Sequence, residues 1–418
     1  MSEILHELLL ASEKAACIAR ACREEETLFQ LLIEEKKEDE KNKKFLTDFK
    51  TLADVLVQEV IKYDLGKKFP GFEKNVKGEE SNEFTNELGE KIIVKVCPTE
   101  EETARLLQKV LDNNEPAAKK LAQAVHQKLV VTDQNLDAIK VNIPLTELAV
   151  WVDPIEHTVY YEHAIFLYIK LFLNAFLTGS ADITPTKGIY PKGLQCVTVL
   201  IGVYHIETGL PVMGVVNQPF AIKDPTTNRW KSQWYWGLSY KDTNICSVQA
   251  SAINGQTSSK LECGFPADAE CEKKSYGVIT SSAETGDILS SLTAVCGENL
   301  YFAAGAGYKS LCVIQGLVDF YVFSEDTTFK WDSCAPHAIL KSLGGGMLDL
   351  SECLKTVKQK KKLLDRPDLL YNSEIQGAVG ADKWANKGGL VAYRSEEHLE
   401  WFLDLFVQHL QLQNELHQ

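Results

Sequence analysis

The chain has 418 residues, 45% of them hydrophobic and 24% charged, which is ordinary for a soluble globular protein of two or three domains or of two halves sharing one core. A formal net charge of −14 argues against a nucleic-acid backbone as partner, since phosphate neutralisation needs a basic surface, but it leaves room for a small anion neutralised locally. Eleven cysteines, odd in number and without C-x-x-C pairs or zinc spacing, predict reduced thiols and a cytoplasmic chain rather than a disulfide framework.

In chain order, Met1 to Ala16 reads as an amphipathic helix carrying Glu3, Glu7, Glu13 and Lys14, not as a targeting sequence. Apolar residues keep helical spacing from Ile4 to Ile33, and EEKKEDEKNKK (Glu34–Lys44) predicts a solvated loop of mixed charge. A second helix opens at Thr51 and contains Asp54. KIIVKV (Lys91–Val96) reads as a strand, and Thr99 to Glu102 as a capping box that starts another helix. Leu148 to Val152 is an apolar run that predicts a buried strand, with Asp153 at its end, where α/β proteins place their chemistry. Ala164–Leu177 is the most apolar stretch, but it has fourteen residues and contains Lys170 and Asn174. A membrane span needs about twenty apolar residues, so the stretch reads as a buried or partner-facing helix.

LQCVTVLIGVY and LPVMGVVNQPF, joined through HIETG, predict a β-hairpin. Polar sequence over Asn254–Lys274 then separates an N-terminal half, 1–245, from a C-terminal half, 246–418. In the second half YGVIT, VDFYVF and GGLVAYR read as strands alternating with helices, and a last amphipathic helix begins at Glu396. The expected fold is layered α/β (α+β) with a sheet in each half, and the hairpin argues against a purely doubly wound sheet. The sequence carries no signal for oligomeric state.

The residues suited to chemistry are acids far apart in the chain: Asp54 on a helix, Glu79 and Glu80 after Gly78, Asp153 at a strand end, and Asp332 near a helix start. Singly each reads as a surface, turn or capping acid. Together they suit hard divalent cations such as Mg²⁺, which take several oxygen ligands and, in pairs, polarise a phosphate and activate water. AAGAGYKSLCV (Ala303–Val313) adds a candidate anion site, with backbone N–H groups around Gly305 and Ala306 at a helix start and Lys309 one turn in. It lacks the ending and spacing of a Walker A loop, and it reads equally as a small-residue helix packing on a sheet.

In the order Asp54, Gly78-Glu79-Glu80-Ser81, Trp151-Val152-Asp153-Pro154-Ile155 and Trp331-Asp332, the chain resembles the lithium-sensitive, magnesium-dependent phosphatases of the inositol monophosphatase superfamily. The resemblance covers nearly the whole chain. It implies an αβαβα sandwich, two or three Mg²⁺ ions, inhibition by Li⁺, and an inositol polyphosphate substrate. The implied reaction removes the 1-phosphate from inositol 1,4-bisphosphate and inositol 1,3,4-trisphosphate. It further implies Glu79, Asp153 and the Ile155 carbonyl as ligands of one metal, and Asp153 and Asp332 as ligands of a second, which the family completes with an aspartate where this chain has Glu156. Glu80 and Asp54 match positions near a further metal. Thr158 and Asp54, with Glu79, match the catalytic positions that act on the attacking water. Glu156, His157, Thr158, Gly305, Ala306, Lys309 and Thr327 match substrate-contacting positions.

The chain departs from the pattern in one segment. The family reads Asp-Pro-Ile-Asp-Ser-Thr where this chain reads Asp153-Pro154-Ile155-Glu156-His157-Thr158. The interval that follows, about 159–178, is longer than in relatives by roughly fifteen residues, beyond the usual short connection. Two alternatives therefore stand beside the phosphatase: an enzyme acting on 3′(2′),5′-bisphosphate nucleotides, and a catalytically impaired protein that binds inositol phosphates.

Overall fold

The computed structural model describes residues 2–24, 33–37, 40, 49–86, 89–136, 139–156, 183–248, 276–359 and 366–416. Helix α1 (Ser2–Glu24) buries Leu5, Leu8, Ala15, Ile18 and Ala19 along one face. The helical spacing predicted as far as Ile33 does not hold there, because Ile33 belongs to β1 (Ile33–Glu35), antiparallel to β2 (Phe49–Thr51). Helix α2 (Leu52–Lys68) opens as expected. The Thr51 hydroxyl accepts the Asp54 N–H and the Asp54 carboxylate accepts the Thr51 N–H, a reciprocal cap.

After β3 (Val76–Gly78) come a small hairpin, β4 (Glu83–Thr85) with β5 (Lys91–Ile93), and two helices, α3 (Glu100–Val110) and α4 (Glu115–His126). The strand predicted from Lys91 to Val96 is thus confined to its first half. Thr99 caps α3 by accepting the Glu102 N–H at 3.2 Å.

Strands β6 (Leu148–Glu156), β7 (Thr198–His205), β8 (Pro211–Lys223), β9 (Trp230–Tyr240) and β10 (Thr243–Cys246) form an antiparallel run, with β3 added parallel to β6. The predicted hairpin is β7–β8. The second sheet has the order β12-β11-β13-β15-β14. Its elements, in chain order, are β11 (Val278–Thr280), α5 (Gly286–Cys296), β12 (Leu300–Phe302), α6 (Ala306–Ile314), β13 (Phe320–Phe323), α7 (Lys330–Ser342), β14 (Gly346–Asp349), α8 (Leu350–Lys358), β15 (Leu390–Tyr393) and α9 (Glu396–Leu416). Both large sheets are mixed, so the layered α/β expectation holds.

Period-two alternation sets the layers. Leu148, Val150 and Val152 of β6 join the core shared with α1, α2 and α4, whereas Ala149 and Trp151 face the opposite side and join residues of α6, α7 and the second sheet. The far face of the second sheet is covered by α5, α8 and α9 through Leu292, Cys353, Phe402 and Phe406. The order is helices, sheet, helices, sheet, helices.

Helix α7 lies in the middle layer against β6, β7, β8 and β9. Gly202, Gly214 and Gly237 are paired across β7, β8 and β9 and form a row without side chains. A Cβ at Gly202 would come 2.5 Å from the Ala335 nitrogen, and one at Gly237 would come 2.7 Å from the Ile339 Cα. This groove sets how closely α7, and with it Asp332, approaches the sheet.

Candidate active site

Strand β6 carries Asp153 and Glu156, three residues apart, a spacing that would place them on opposite faces of a regular strand. The ladder shifts between them: Asp153 pairs with Leu200 and Glu156 with Thr198, so one extra residue is accommodated around Pro154 and Ile155. Both acids consequently reach the middle layer, and Ile155 stays buried in the irregularity. Glu79 follows β3, its N–H donating to the Val152 carbonyl at 3.2 Å, which brings it alongside Asp153.

The structure brings Asp54, Glu79, Glu80, Asp153, Glu156 and Asp332 into one electrostatic cluster. Asp153 is 1% exposed, and neither of its oxygens receives an N–H or O–H from a described residue. Its carboxyl lies against that of Asp332, a contact two carboxylates keep only with a proton or a cation between them. Burial raises the Asp153 pKa well above the ordinary range, with the charges of Glu79, Asp332 and Glu156 adding to it. Asp332 is pushed up to about 8 by burial and then by Glu156 and Glu79, while its Oδ2 accepts the Phe329 N–H at 2.5 Å. Glu80 also rises to about 8, through burial, although the Lys36 ammonium counteracts it.

Local contacts hold the remaining members. Asp54 Oδ2 accepts the Thr51 N–H and the Thr51 hydroxyl, both at 2.7 Å. Gln58 fixes the Glu80 backbone from both sides, accepting its N–H at 3.0 Å and donating to its carbonyl. Glu156, expected at a metal and substrate position, belongs to the cluster by charge and is engaged at a helix start. Its Oε2 accepts the Thr198 hydroxyl and the Gly307 N–H, each at 2.9 Å, and its Oε1 accepts the Ala306 N–H. The N–H groups at the start of α6, expected to face an anion, are therefore held by a side chain of this chain. Gly305, at φ +77°, provides the left-handed turn before α6. Lys309 is buried and pushed down to about 8 by desolvation. It points back to its own turn, donating to the Gly305 carbonyl at 2.7 Å and the Ala303 carbonyl at 3.3 Å. Thr327 is partly buried on the segment between β13 and α7. His157, Thr158, the predicted apolar helix Ala164–Leu177 and the polar stretch Asn254–Lys274 lie outside the described residues.

Two lysines were not legible as site residues. Lys36, expected on a solvated loop, is 4% exposed, and its ammonium binds Glu79 Oε1 at 2.6 Å and Glu80 Oε1 at 2.8 Å. Lys50 is buried and donates to the Ser81 hydroxyl at 2.9 Å and the Glu83 carbonyl at 2.7 Å, fixing the turn after Glu80. No three His, Cys, Asp or Glu side chains among the described residues form a ready-made metal cage. The acids are instead shared among Lys36, helix starts and one another. The donor set nevertheless fits a hard cation, because buried, mutually repelling carboxylates with Asp153 undonated are the environment that such an ion neutralises.

The family model described as the inositol monophosphatase family matches residues 73–399. The chain is 57% identical over 410 residues to the inositol polyphosphate 1-phosphatase of Homo sapiens, covering 98% of each. It is 57% identical over 413 residues to that of Bos taurus, again covering 98% of each. To the 3′(2′),5′-bisphosphate nucleotidase 1 of Rattus norvegicus it is 24% identical over 310 residues, 73% of this chain and 72% of that one. With its carboxylates gathered as described and the match running through most of its length, the chain belongs to the inositol monophosphatase family.

Proposed function

We propose that the protein is a phosphoric monoester hydrolase that removes the 1-phosphate from inositol 1,4-bisphosphate and inositol 1,3,4-trisphosphate, with Mg²⁺ as cofactor and Li⁺ as inhibitor. The observation that carries the chemistry is the crowding of acids around Asp153, whose buried oxygens lack a donor among the described residues. The substrate class comes from the names of relatives 57% identical over 98% of the chain. On this reading residues 1–245 supply Asp54, Glu79, Glu80, Asp153, the Ile155 carbonyl and Glu156, and residues 246–418 supply Asp332, Gly305, Ala306, Lys309 and Thr327. Nine free cysteines among the described residues support a reducing compartment, and no described helix is long and apolar enough to cross a membrane.

Glu79, Asp153, Ile155 and Asp332 would hold the principal ions, with Asp54 and Glu80 beside a weaker one. Bound Mg²⁺ supplies positive charge to the phosphate oxygens and makes water a better nucleophile at neutral pH. The chain's own residues do the rest by position and charge. Thr51 pins one oxygen of Asp54 at the start of α2, so that carboxylate presents a fixed edge to an incoming water. Lys309, by holding the Gly305 and Ala303 carbonyls, keeps the Ala306 and Gly307 N–H groups aimed into the cluster, where negative charge is favoured.

The test is phosphate release from inositol 1,4-bisphosphate with Mg²⁺ titrated from zero, repeated with Li⁺ and with adenosine 3′,5′-bisphosphate. Mg²⁺-dependent, Li⁺-sensitive release from the inositol substrate is the expected result. Preference for the nucleotide would replace the reading, and metal-dependent binding without turnover would make this a binding protein.

A further inference from the structure

Outside the carboxylate cluster two lysines converge on one tryptophan. Lys77 Nζ stands 4.5 Å from the Trp384 ring centroid and 5.5 Å from that of Trp151. Lys330 Nζ stands 5.4 Å from the same Trp384 ring and donates to the Ser373 carbonyl. Neither ammonium has an ion-pair partner among the described residues. The acid whose charge reaches Lys330 is Glu374, and it is paired with Lys383 at 3.6 Å. Contact with an indole face attracts an ammonium without neutralising it. Two such charges around one ring therefore leave a local positive field in a chain whose net charge is −14.

The position gives this field a use. Lys77 precedes Glu79 by two residues on the β3 line, and same-face neighbours on a strand are about 7 Å apart. Lys330 precedes Asp332 by two residues in the first turn of α7. Lys77 is exposed, so an anion can reach the pair from solvent, while the buried Lys330 and the partly buried Trp384 form the floor.

We propose that Lys77, Lys330 and Trp384 form an anion subsite for a phosphate monoester group beside the reaction centre. The occupant is the second phosphate of a bisphosphorylated inositol, or free phosphate. Its assignment to substrate rests on the functional reading above; its anion chemistry does not.

The test uses the full chain with Lys77→Gln and Lys77→Arg, the position being exposed enough for both to fold. If the substrate's second phosphate is held there, Lys77→Gln raises KM for inositol 1,4-bisphosphate by about tenfold with kcat within about twofold, and Lys77→Arg restores most of it. A second arm follows ³¹P NMR of inorganic phosphate added to the metal-free proteins, where the acids repel the anion. Weaker phosphate binding in Lys77→Gln with unchanged KM would support the subsite with free phosphate as occupant. Unchanged KM together with unchanged phosphate binding would overturn the proposal. A wild-type protein that hydrolyses no inositol phosphate would remove the functional reading alone. Phosphate binding by the wild type but not by Lys77→Gln would then still support the subsite, and equal binding would sink it.

Discussion

Glu156 accepts the Gly307 N–H at 2.9 Å and the Ala306 N–H with its other oxygen, so a side chain from β6 caps helix α6. It satisfies two of the four N–H groups left open at a helix start and meets the positive end of the helix dipole, as a bound anion would. Removing it in Glu156→Ala is expected to cost about 1–2 kcal/mol in urea unfolding. Glu156→Asp shortens the arm by about 1.5 Å, one carbon–carbon bond. The carboxylate should then leave α6 and turn towards Asp153 and Asp332. A similar loss of stability is expected, together with faster turnover of inositol 1,4-bisphosphate as the helix start becomes open to phosphate. An unchanged urea midpoint in both variants would show that the cap carries no energy.

Asp153 presents the opposite case, a residue whose charge works against the fold. Asn at this position keeps the shape and needs no proton, whereas Asp153, buried among Glu79, Asp332 and Glu156, must take one up on folding without metal. In EDTA, Asp153→Asn is expected to melt several degrees higher than the wild type. Phosphate release in Mg²⁺ should fall by about a thousandfold or more, the order of loss typical when a key electrostatic group is removed. A variant that melts lower in EDTA would show that charge repulsion does not govern what Asp153 contributes to stability.

The same repulsion makes metal-free stability depend on pH. Asp332 rises from an ordinary 3.8 to about 8, and Glu80 from 4.5 to about 8. In that window the folded state binds more protons than the unfolded chain, so stability is full at the acidic end and declines as pH rises through about 8. Lys309, pushed down to about 8, acts in the opposite sense but only above that value. Metal-free protein should therefore melt lower at pH 8 than at pH 5.5, and saturating Mg²⁺ should flatten the curve by replacing those protons. A melting temperature that rises over this range in EDTA would contradict the assigned shifts.

The parts of this site that could be read in the sequence are those set by local rules. Asp153 closes an apolar run, Thr51 opens a helix that contains Asp54, and Gly305 with Lys309 marks a helix start; each signal spans a few residues. What escaped depends on contacts between distant residues. Lys36 sits in a run of charges that favours solvent, and only its meeting with Glu79, 43 residues away, explains its burial. The bulge that turns Glu156 to the side of Asp153 depends on pairing with β7, which no local pattern shows. Glu156 itself could be seen to differ from the family pattern, yet its destination on α6 needed the fold. The short β1, where helical spacing had continued to Ile33, shows pairing with β2 overriding a periodic pattern.

The glycine row beneath α7 was equally invisible, because Gly202, Gly214 and Gly237 align only once the register of three strands is known. Gly214 is its central member. A Cβ there would lie 2.8 Å from the Ala335 carbonyl carbon and 2.9 Å from its Cα, and backbone cannot swing aside as a side chain would. Gly214→Ala must lift α7 or bend β8, at about 1–3 kcal/mol. Because α7 carries Asp332 in its first turn, the shift reaches the carboxylate cluster without any change to a site residue. Displacement near 1 Å at a reacting centre costs about a hundredfold in rate. Gly214→Ala is therefore expected to lower the melting temperature by a few degrees and kcat by tenfold or more, with weaker Mg²⁺ binding measured by calorimetry on the folded variant. Wild-type metal affinity and kcat in a variant that is only less stable would show that Asp332 is placed independently of the groove.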